Sequence, residues 1–386
     1  MQKINLLKNK SFCILPFIHL HVNETNDIRV CCHDIENNFK KYTNEFNFVN
    51  DTDMQAIREN MLRGDKVSHC KYCYKLEEGG VESSRIRHTR EWQVKLNIKH
   101  YEEVAPSLVF YDIRNDNTCN LSCRMCFPTY SVQLEKEYKK IGWYWPEAEK
   151  SYGFTQLVDF ATVKKIYVAG GEPTIMPEFR SFLNKAIEQN RTDIELCINT
   201  NATNLNKEYL EVLGKFKNLN IVVSIDGYGD VNKYIRWPSD WETITSNIKN
   251  LLKLTSNVSF NITVSIWNIT NLSKLILFLD QEFPACIILL NEVLQPIYNK
   301  FTTYPNKDIV LSDLEKIRDT NRYKNDLAFK KRIDYISSEI ENSEIDLDDL
   351  TDFFNYNDAL DQSRNIKLKD FIPELEECRS LIKKPI

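Results

Sequence analysis

Glycine is scarce in this chain, which has only 10 glycines among 386 residues. The sequence also lacks a long apolar run: its most apolar stretch, Ile287-Ile288-Leu289-Leu290, is far too short to span a bilayer. The first residues, Met1-Gln2-Lys3-Ile4-Asn5, include no apolar stretch long enough for a signal peptide. We therefore predict a cytoplasmic protein without a membrane-spanning segment.

An excess of basic residues is also missing. The chain has 50 Lys and Arg against 55 Asp and Glu, for a net charge of −5. This balance argues against nucleic-acid binding as the main function, although a local basic patch would still be compatible with it. Hydrophobic residues make up 42% and charged residues 27%, as is usual for a soluble globular protein. The length allows two or three domains, or one barrel with appendages.

Histidine is absent after residue 100, and eight of the 11 cysteines lie before residue 127. Seven of these eight fall into two pairs and one triplet, and Cys13 precedes them. Disulfides are not expected in a cytoplasmic protein, so the grouping indicates a metal-bearing N-terminal module. Cys197, Cys286 and Cys378 each lie alone, and we predict that they are small core residues.

Three cysteines, Cys119, Cys123 and Cys126, have a C-x3-C-x2-C spacing. They follow residues 108–115, an apolar run that ends in a polar cluster. This pattern predicts a strand followed by a loop that places three thiolates on one face of an iron–sulfur cube. Three ligands would leave the fourth iron open to bind a small molecule, whereas a closed structural site has four. The spacing alone is also compatible with zinc or with three unrelated thiols.

The same motif resembles the cluster loop of the radical S-adenosylmethionine (radical SAM) enzymes. The longer phrase from Tyr111 to Cys126 is similar to the subgroup that carries a twitch auxiliary-cluster domain. The resemblance implies a 4Fe–4S cluster on the three cysteines, with S-adenosylmethionine (SAM) chelated at the open iron. It further implies an electron donor, flavodoxin or ferredoxin, and a 5′-deoxyadenosyl radical that takes hydrogen from the substrate.

A second group of thiols precedes this loop. Alternation over residues 18–22 and 28–32 predicts a β-hairpin, and a helix predicted over residues 53–63 leads to a C-x2-C pair. The four cysteines concerned are Cys13, Cys31, Cys70 and Cys73. On their own they fit zinc as well as an iron–sulfur cluster. Beside the radical SAM motif, the pattern is similar to that of twitch domains and implies a second, auxiliary 4Fe–4S cluster.

Other residues flank these thiols. Cys32 is an alternative ligand to Cys31. The nearby histidines are His19, His21, His33 and His69. We expect them to donate hydrogen bonds to sulfur rather than to bind metal. We place Arg85, in the polar helical stretch that follows, on a solvated face, together with His88 and His100.

From residue 106 onward, short β-rich runs alternate with helical ones. Strands are predicted near residues 108–114, 165–169, 195–199, 220–225, 259–265 and 286–291. Helices are predicted near residues 131–141, 177–190, 206–215, 241–254 and 271–280. The predicted fold class is α/β, with a partial (β/α)6 TIM-like barrel of the radical SAM type.

We predict three domains. Residues 1–105 form a twitch-like auxiliary-cluster module with a β-hairpin and a helix, residues 106–295 form the barrel, and residues 296–386 form a helical C-terminal extension. In that extension, helices are expected over residues 312–317, with Ser312 as the N-cap, and over residues 332–340. Residues 344–349 are acidic, and we expect them to be solvated.

The resemblance also implies a SAM site at the carboxyl ends of the barrel strands. Gly170-Gly171-Glu172 is similar to the family motif that holds the methionine amino group, although a plain turn also fits it. The other expected SAM contacts are Met125, Phe127, Thr200, Asn201, Ser224 and Arg236. Arg236 resembles the arginine that pairs with the methionine carboxylate, and Asp226 is expected to position its loop. Met125 stands where the family often has an aromatic residue on the adenine.

An auxiliary cluster suits a net oxidation, because it can accept an electron from a substrate radical. We therefore predict a radical SAM oxidoreductase acting on a peptide or a small metabolite. Since the auxiliary module begins almost at the first residue, we expect no separate domain for leader-peptide capture, and a sugar or cyclitol dehydrogenase is the alternative. A non-catalytic zinc or iron–sulfur scaffold is a further alternative from a different class of protein.

Overall fold

The computed structural model describes residues 9–34, 40–100, 103–114, 116–146 and 152–382. The strands are β1 (His19–Val22), β2 (Asp27–Arg29), β3 (Lys40–Lys41), β4 (Phe110–Ile113), β5 (Ser122–Cys123), β6 (Lys165–Val168), β7 (Glu195–Thr200), β8 (Asn218–Ser224), β9 (Arg236–Trp237), β10 (Val258–Val264) and β11 (Ile287–Glu292). The structure is an α/β fold with mostly parallel strands and many helices. Asn115, which ends the polar cluster just after the predicted first barrel strand, lies outside the described residues.

The helices confirm most of the sequence pattern. They are α1 (Leu15–Ile18), α2 (Thr52–Arg63), α3 (Lys71–Glu78), α4 (Ser84–Lys95), α5 (Val132–Lys140), α6 (Phe154–Leu157), α7 (Pro177–Glu188), α8 (Lys207–Leu213), α9 (Asp230–Ile235), α10 (Trp241–Leu254), α11 (Leu272–Glu282), α12 (Lys307–Arg318), α13 (Asn321–Asn325), α14 (Leu327–Asn342), α15 (Leu347–Arg364) and α16 (Pro373–Glu377). All six predicted barrel strands and the five helices between them are found within two residues of the expected bounds. The periodicity of apolar residues therefore suffices to locate these elements.

The chain divides into two compact units. The first takes in the described parts of Met1–Asn117, Glu147–Ile198 and Glu211–Leu219. The second takes in Thr118–Pro146, Asn199–Leu210 and the described part of Asn220–Ile386. This division differs from the three predicted domains, which stay a prediction.

The first unit is built on a sheet in the order β7-β6-β4-β1-β2-β3. Strands β1, β4, β6 and β7 run parallel, and β1 also pairs with β2 as the predicted antiparallel hairpin. One face of the parallel strands is apolar: Leu20, Tyr111, Ile166 and Leu196 occupy one register and are all buried. The sequence did not predict that β1 also lies beside β4, because a parallel partner from a distant segment leaves no local signal.

The second unit contains the parallel strands β8, β10 and β11 and the antiparallel pair β5–β9. Val258, Phe260, Ile262 and Val264 alternate along β10 and are buried. Cys286 and Cys378 in this unit, like Cys197 in the first, are buried, which confirms the prediction that they are core residues. The described chain has no helix with the length and apolarity to cross a bilayer.

In the C-terminal region one prediction was wrong and one helix was not predicted. Ser312 lies inside α12, and the N-cap is Asn306, whose side chain accepts a hydrogen bond from the Ile309 N–H at 3.2 Å. The acidic stretch is mostly exposed as expected, but Asp346 within it caps α15, an 18-residue helix that the sequence analysis missed. The missed helix has no clear amphipathic pattern, since Leu350, Phe353, Tyr356 and other large residues are buried around much of it.

Candidate functional site

The C-x3-C-x2-C loop lies in the second unit and brings its thiols together. Cys123 is in β5, opposite Arg236 of β9, and is buried, while Cys119 and Cys126 are half-buried. Burial raises the pKa of the Cys126 thiol, and the charges of Cys123 and Cys119 raise it further. The three thiols therefore lie within electrostatic reach of one another, as three ligands of one cluster must.

Arg236 is held beside this loop by a buried carboxylate. Its Nε lies 2.5 Å from Oδ2 of Asp226, which is fully buried, and its Nη1 lies 4.0 Å from Sγ of Cys123. Burial raises the pKa of Cys123, and the charge of Arg236 opposes that rise. Asp226 thus positions Arg236, in line with the expectation that it positions its loop. Contact between Arg236 and the methionine carboxylate of SAM stays a prediction.

Arg124, which was not among the predicted site residues, lies between the second and third cysteines and is fully buried. Its guanidinium forms an ion pair with Asp361 of α15 and donates to Oδ1 of Asn357 at 2.9 Å. The same helix holds the loop backbone: Tyr356 donates to the Arg124 carbonyl at 2.6 Å and Arg364 to the Ser122 carbonyl at 2.8 Å. The sequence did offer one signal for this role, because Arg124 is a charged residue between two predicted cluster ligands.

The expected SAM contacts at the strand ends form a polar network. Asn201 donates to Oδ1 of Asn120 at 3.0 Å, and Asn120 donates to Oγ1 of Thr203 at 2.8 Å. This joins the end of β7 to the cluster loop. Oγ of Thr200 accepts from the Ala202 N–H at 3.0 Å, while Ser224 donates to Oδ1 of Asn199 at 2.9 Å. Hydroxyls and amides therefore converge here, and their contact with SAM stays a prediction.

Aromatic side chains adjoin the third cysteine. Phe127 stacks on Trp145 with ring centroids 5.4 Å apart, and Trp145 meets the edge of Tyr138 at 6.2 Å. Met125 and Phe127 are both half-buried. A flat apolar surface of this kind suits a purine. Trp145 was not among the predicted contacts.

Gly170 and Gly171 lie in the first unit, and close backbone packing requires a glycine at position 170. Gly170 has a φ of +102°, and a Cβ there would lie 3.0 Å from the Asp116 carbonyl oxygen and 3.1 Å from that of Arg114. The Gly171 N–H donates to the same Asp116 oxygen at 2.8 Å. Glu172 is buried, and its Oε1 accepts from the backbone N–H of Thr174 at 3.1 Å and from its hydroxyl at 2.7 Å. Its contact with the methionine amino group stays a prediction.

The four N-terminal cysteines also lie in the first unit, and all are buried. Burial, together with the charge of Cys73, raises the pKa of Cys13 to about 12. The pKa of Cys31 is raised by burial and by the charges of Cys32, Cys73, Cys70 and Cys13. The charge of Cys73 contributes to the raised pKa of each of the other three thiols, so the four thiols lie within electrostatic reach of one another.

Cys32 has different surroundings from Cys31. It is half-buried, and although burial opposes the change, the charges of His33 and Arg114 lower its pKa to about 6. Cys31, in contrast, interacts with all three of the other proposed ligands. This arrangement favours Cys31 over Cys32 as the fourth thiolate.

The position expected for Arg85 on a solvated helix face was wrong. Arg85 is 4% exposed, and its Nη1 donates to the Phe12 carbonyl at 2.6 Å. Its Nε donates to Oε1 of Glu77 at 2.9 Å. Burial raises the pKa of Cys73, while hydrogen bonds from the Arg85 N–H and the Ser83 hydroxyl oppose that rise. Arg85 thus belongs to the surroundings of the N-terminal thiols.

The histidines also differ from expectation. His69 pairs with Asp34 at 2.7 Å, and His19 contacts the Val30 carbonyl at 3.1 Å. His33 lies 2.9 Å from the Ser84 hydroxyl and also hydrogen-bonds to the Cys32 thiol, a bond that helps to lower the pKa of that thiol. The partners of His19, His33 and His69 thus include a carbonyl, a hydroxyl and a carboxylate oxygen, respectively. His88 is half-buried rather than solvated, whereas His100 is exposed.

The donor sets fit iron–sulfur clusters by their chemistry. Among the residues that the structure describes, no three His, Cys, Asp or Glu side chains are grouped around a single metal ion. A 4Fe–4S cluster instead distributes its thiolates over separate irons. Both thiol groups consist of cysteine alone, and soft thiolates are the ligands of such clusters.

Comparison with solved structures gives matches that cover only part of each chain. A structure described as native anSMEcpe with bound AdoMet is 16% identical, with a TM-score of 0.40, covering 56% of this chain and 61% of that one. SuiB of Streptococcus suis bound to S-adenosylmethionine is 16% identical, with a TM-score of 0.42, covering 70% and 58%. SuiB bound to its precursor peptide SuiA is 16% identical, with a TM-score of 0.38, covering 80% and 64%. This chain thus spans less than two thirds of each solved protein's length.

Comparison with protein families gives a direct match. No curated protein matches the chain. The family model described as Radical SAM superfamily matches residues 117–279, which include Cys119, Cys123 and Cys126. That family implies an enzyme that uses SAM and a 4Fe–4S cluster. The similarity to the radical SAM superfamily therefore extends over residues 117–279, which is less than half of the chain.

Proposed function

We propose that this protein is a radical SAM oxidoreductase with two 4Fe–4S clusters, which oxidises a peptide or a small metabolite. Cys119, Cys123 and Cys126 would hold the SAM-binding cluster, and Cys13, Cys31, Cys70 and Cys73 the auxiliary one. When bound, SAM and its cluster would supply the 5′-deoxyadenosyl radical that removes hydrogen from the substrate, and the auxiliary cluster would supply a site that accepts an electron from the substrate radical. Flavodoxin or ferredoxin is the proposed electron donor, and the cytoplasm the proposed location.

One observation supports the oxidative part of the proposal most strongly. Four buried thiols from three separate segments lie in the first unit, where burial and the charge of Cys73 raise the pKa of Cys13, Cys31 and Cys70. Burying four thiols so close together is unfavourable if they ionise without a metal. A bound cluster would neutralise that charge, which is a physical reason for the arrangement.

The protein's own residues have clear tasks in this function. Asp226 holds Arg236 beside Cys123, so that a cation faces the cluster loop. Residues Tyr356 and Arg364 of α15 hold the loop carbonyls and so limit its movement. Phe127 and Trp145 offer an aromatic surface for adenine, from which water would be excluded.

The alternatives differ in their chemistry. A dehydrogenase acting on a sugar or cyclitol would use the same clusters on an alcohol. A non-catalytic scaffold would hold zinc or iron at the N-terminal thiols and would form no 5′-deoxyadenosine from SAM. The three-thiol loop of Cys119, Cys123 and Cys126, which would leave one iron open, and the family match over residues 117–279 favour the enzyme.

The experiment is a count of iron and sulfide per chain after anaerobic reconstitution, together with 5′-deoxyadenosine formation from SAM and dithionite. The wild type is compared with Cys119→Ala/Cys123→Ala/Cys126→Ala and with Cys13→Ala/Cys31→Ala. About eight irons in the wild type and about four in each variant are expected, with 5′-deoxyadenosine lost only in the first variant. About four irons in the wild type, with zinc bound at the N-terminal thiols, would contradict the auxiliary cluster.

A further inference from the structure

The sheet of the first unit has a polar face opposite its apolar one. Two registers across β1, β4, β6 and β7 place side chains there: His19, Phe110, Lys165 and Glu195 in one, and His21, Asp112, Tyr167 and Cys197 in the other. Residues at one register of parallel strands point to the same side of the sheet. Parallel strands are usually apolar on both faces, so this polar face points to a function.

The charged residues of the first register form ion pairs within the protein. Its four residues are the first residues of their strands, and α4 lies over them, with Trp92 stacked on Phe110 at 5.8 Å. Lys165 Nζ lies 2.8 Å from Oε1 of Glu91 and 2.9 Å from Oε1 of Glu195. The charges at the amino ends of the strands are therefore satisfied within the protein.

The second register lies nearer the carboxyl ends of the strands, where active sites of such sheets are found. Arg114 binds Asp112 with both arms of its guanidinium, Nε to Oδ1 at 2.9 Å and Nη2 to Oδ2 at 3.2 Å. Nδ1 of His21 lies 3.2 Å from Oδ2 of Asp112, an ion-pair distance. His21 and Asp112 are buried, whereas 24% of the Arg114 side chain is exposed. The carboxylate therefore fixes an accessible guanidinium in place.

Tyr167 completes the accessible part of this register. The Arg114 guanidinium carbon lies 5.2 Å from the centre of the Tyr167 ring. Tyr167 is half-buried, and its hydroxyl makes no hydrogen bond to any residue that the structure describes. Burial raises the pKa of this hydroxyl, although the Arg114 charge opposes the rise, so the hydroxyl stays protonated. It can both donate and accept a hydrogen bond.

We propose that Arg114 and Tyr167 bind a neutral hydroxyl group of the substrate, with Asp112 and His21 as positioning residues behind them. The inference rests on the proposed function, because it identifies the substrate as an alcohol. Asp112 neutralises the Arg114 charge, so a substrate anion gains little net attraction. The donors of a fixed guanidinium and the phenol hydroxyl together match the donor and acceptor of an alcohol.

An alcohol can come from two sources, a small polyol or a serine or threonine side chain of a peptide. The test is saturation-transfer NMR on the reconstituted full-length protein with three separate probes: myo-inositol, N-acetyl-L-serinamide and the anion gluconate. Wild type is compared with Tyr167→Phe, and with Tyr144→Phe as the control, since Tyr144 is 88% exposed. Myo-inositol binding alone would indicate a polyol, and serinamide binding alone a peptide.

Tyr167→Phe is expected to weaken binding of the neutral probe about two- to tenfold, as the loss of one hydrogen bond does. Tyr144→Phe should leave it unchanged. The melting temperature of Tyr167→Phe should also be unchanged, because its hydroxyl has no described protein partner. Three outcomes would overturn the proposal. The wild type and Tyr167→Phe bind the neutral probe equally well, gluconate binds more strongly than the neutral probes, or neither neutral probe binds.

The same samples separate this proposal from the function on which it rests. Formation of 5′-deoxyadenosine from SAM without substrate is measured on the wild type and on the Tyr144→Phe control, in which it should be equal. If the wild type forms none, the radical SAM activity fails, while the binding result still decides the alcohol site. If 5′-deoxyadenosine forms but the binding outcomes contradict expectation, only the alcohol site fails.

Discussion

Asp361 and Arg124 form a buried ion pair that joins the C-terminal helix α15 to the cluster loop. Arg124 follows Cys123 directly, and its side chain also lies over the Tyr234 ring, 3.6 Å from its centre. Tyr234 in turn donates to Oδ1 of Asp361 at 2.9 Å. The C-terminal region is therefore part of the support of the cluster loop.

Asp361→Asn should lower the free energy of unfolding by about 3 kcal/mol, because it leaves the buried Arg124 charge without its counter-ion. Urea unfolding of the iron-free protein measures this loss, and chelator challenge should remove iron faster from the reconstituted variant. The control is Asp358→Asn, whose side chain is 52% exposed beside Arg379, with an expected loss below about 1 kcal/mol. Equal losses in the two variants would show that the buried pair does not stabilise the loop.

Gly170→Ala should destabilise the protein more than Gly80→Ala does. Both glycines have positive φ, +102° and +76°, so both substitutions strain the backbone, by about 1–2 kcal/mol. Only at Gly170 would the new Cβ also press on carbonyl oxygens, at 3.0 and 3.1 Å; at Gly80 nothing lies within 4 Å. The melting temperatures of the two variants measure the difference, and a Gly170→Ala protein no less stable than Gly80→Ala would contradict the close packing.

Arg85→Gln should make the midpoint potential of the proposed auxiliary cluster more negative. A cation beside Cys73 and Cys13 favours the reduced cluster, which carries one more negative charge. A tenfold change in the equilibrium constant between the oxidised and reduced cluster corresponds to about 59 mV for one electron. We expect the midpoint potential to shift by about that amount or less. The measurement is a redox titration followed by electron paramagnetic resonance in the Cys119→Ala/Cys123→Ala/Cys126→Ala background.

Arg90→Gln is the matched control, since Arg90 is on the same helix but 61% exposed. It should leave the potential unchanged. A potential that stays constant in Arg85→Gln, with four irons still bound, would exclude a tuning role for Arg85.

His19→Gln should weaken the dependence of stability on acidic pH. Burial, partly opposed by the Asp112 charge, lowers the pKa of His19 from 6.5 to about 3. Between these values the unfolded chain binds the proton more readily, so the stabilising contribution is complete above about pH 6.5 and is lost as the pH falls toward 3. The slope is at most about 1.4 kcal/mol per pH unit for one proton.

Urea unfolding at pH 4, 5, 6 and 7 measures this slope in wild type and variant. The exposed His100 provides the control, because His100→Gln should leave the slope unchanged. A wild-type slope that His19→Gln does not reduce would mean that other groups, such as His88, account for the acid sensitivity.

Local sequence patterns determined much of this protein. The spacing of Cys119, Cys123 and Cys126 places three thiols on one loop whatever the remainder of the chain does. Alternation located strands such as Val258–Val264, and helical periodicity located Trp241–Leu254, because both signals arise between near neighbours in the sequence.

Only the tertiary structure decided which distant residues meet. Arg124 and Asp361 are 237 positions apart, and β1 finds its parallel partner β4 far along the chain. The polar sequence around Arg85 predicted a surface residue, yet packing buries Arg85 beside Glu77 and Cys73. Such contacts depend on how elements pack against each other, and the free energy of that packing leaves no periodic signal in the local sequence.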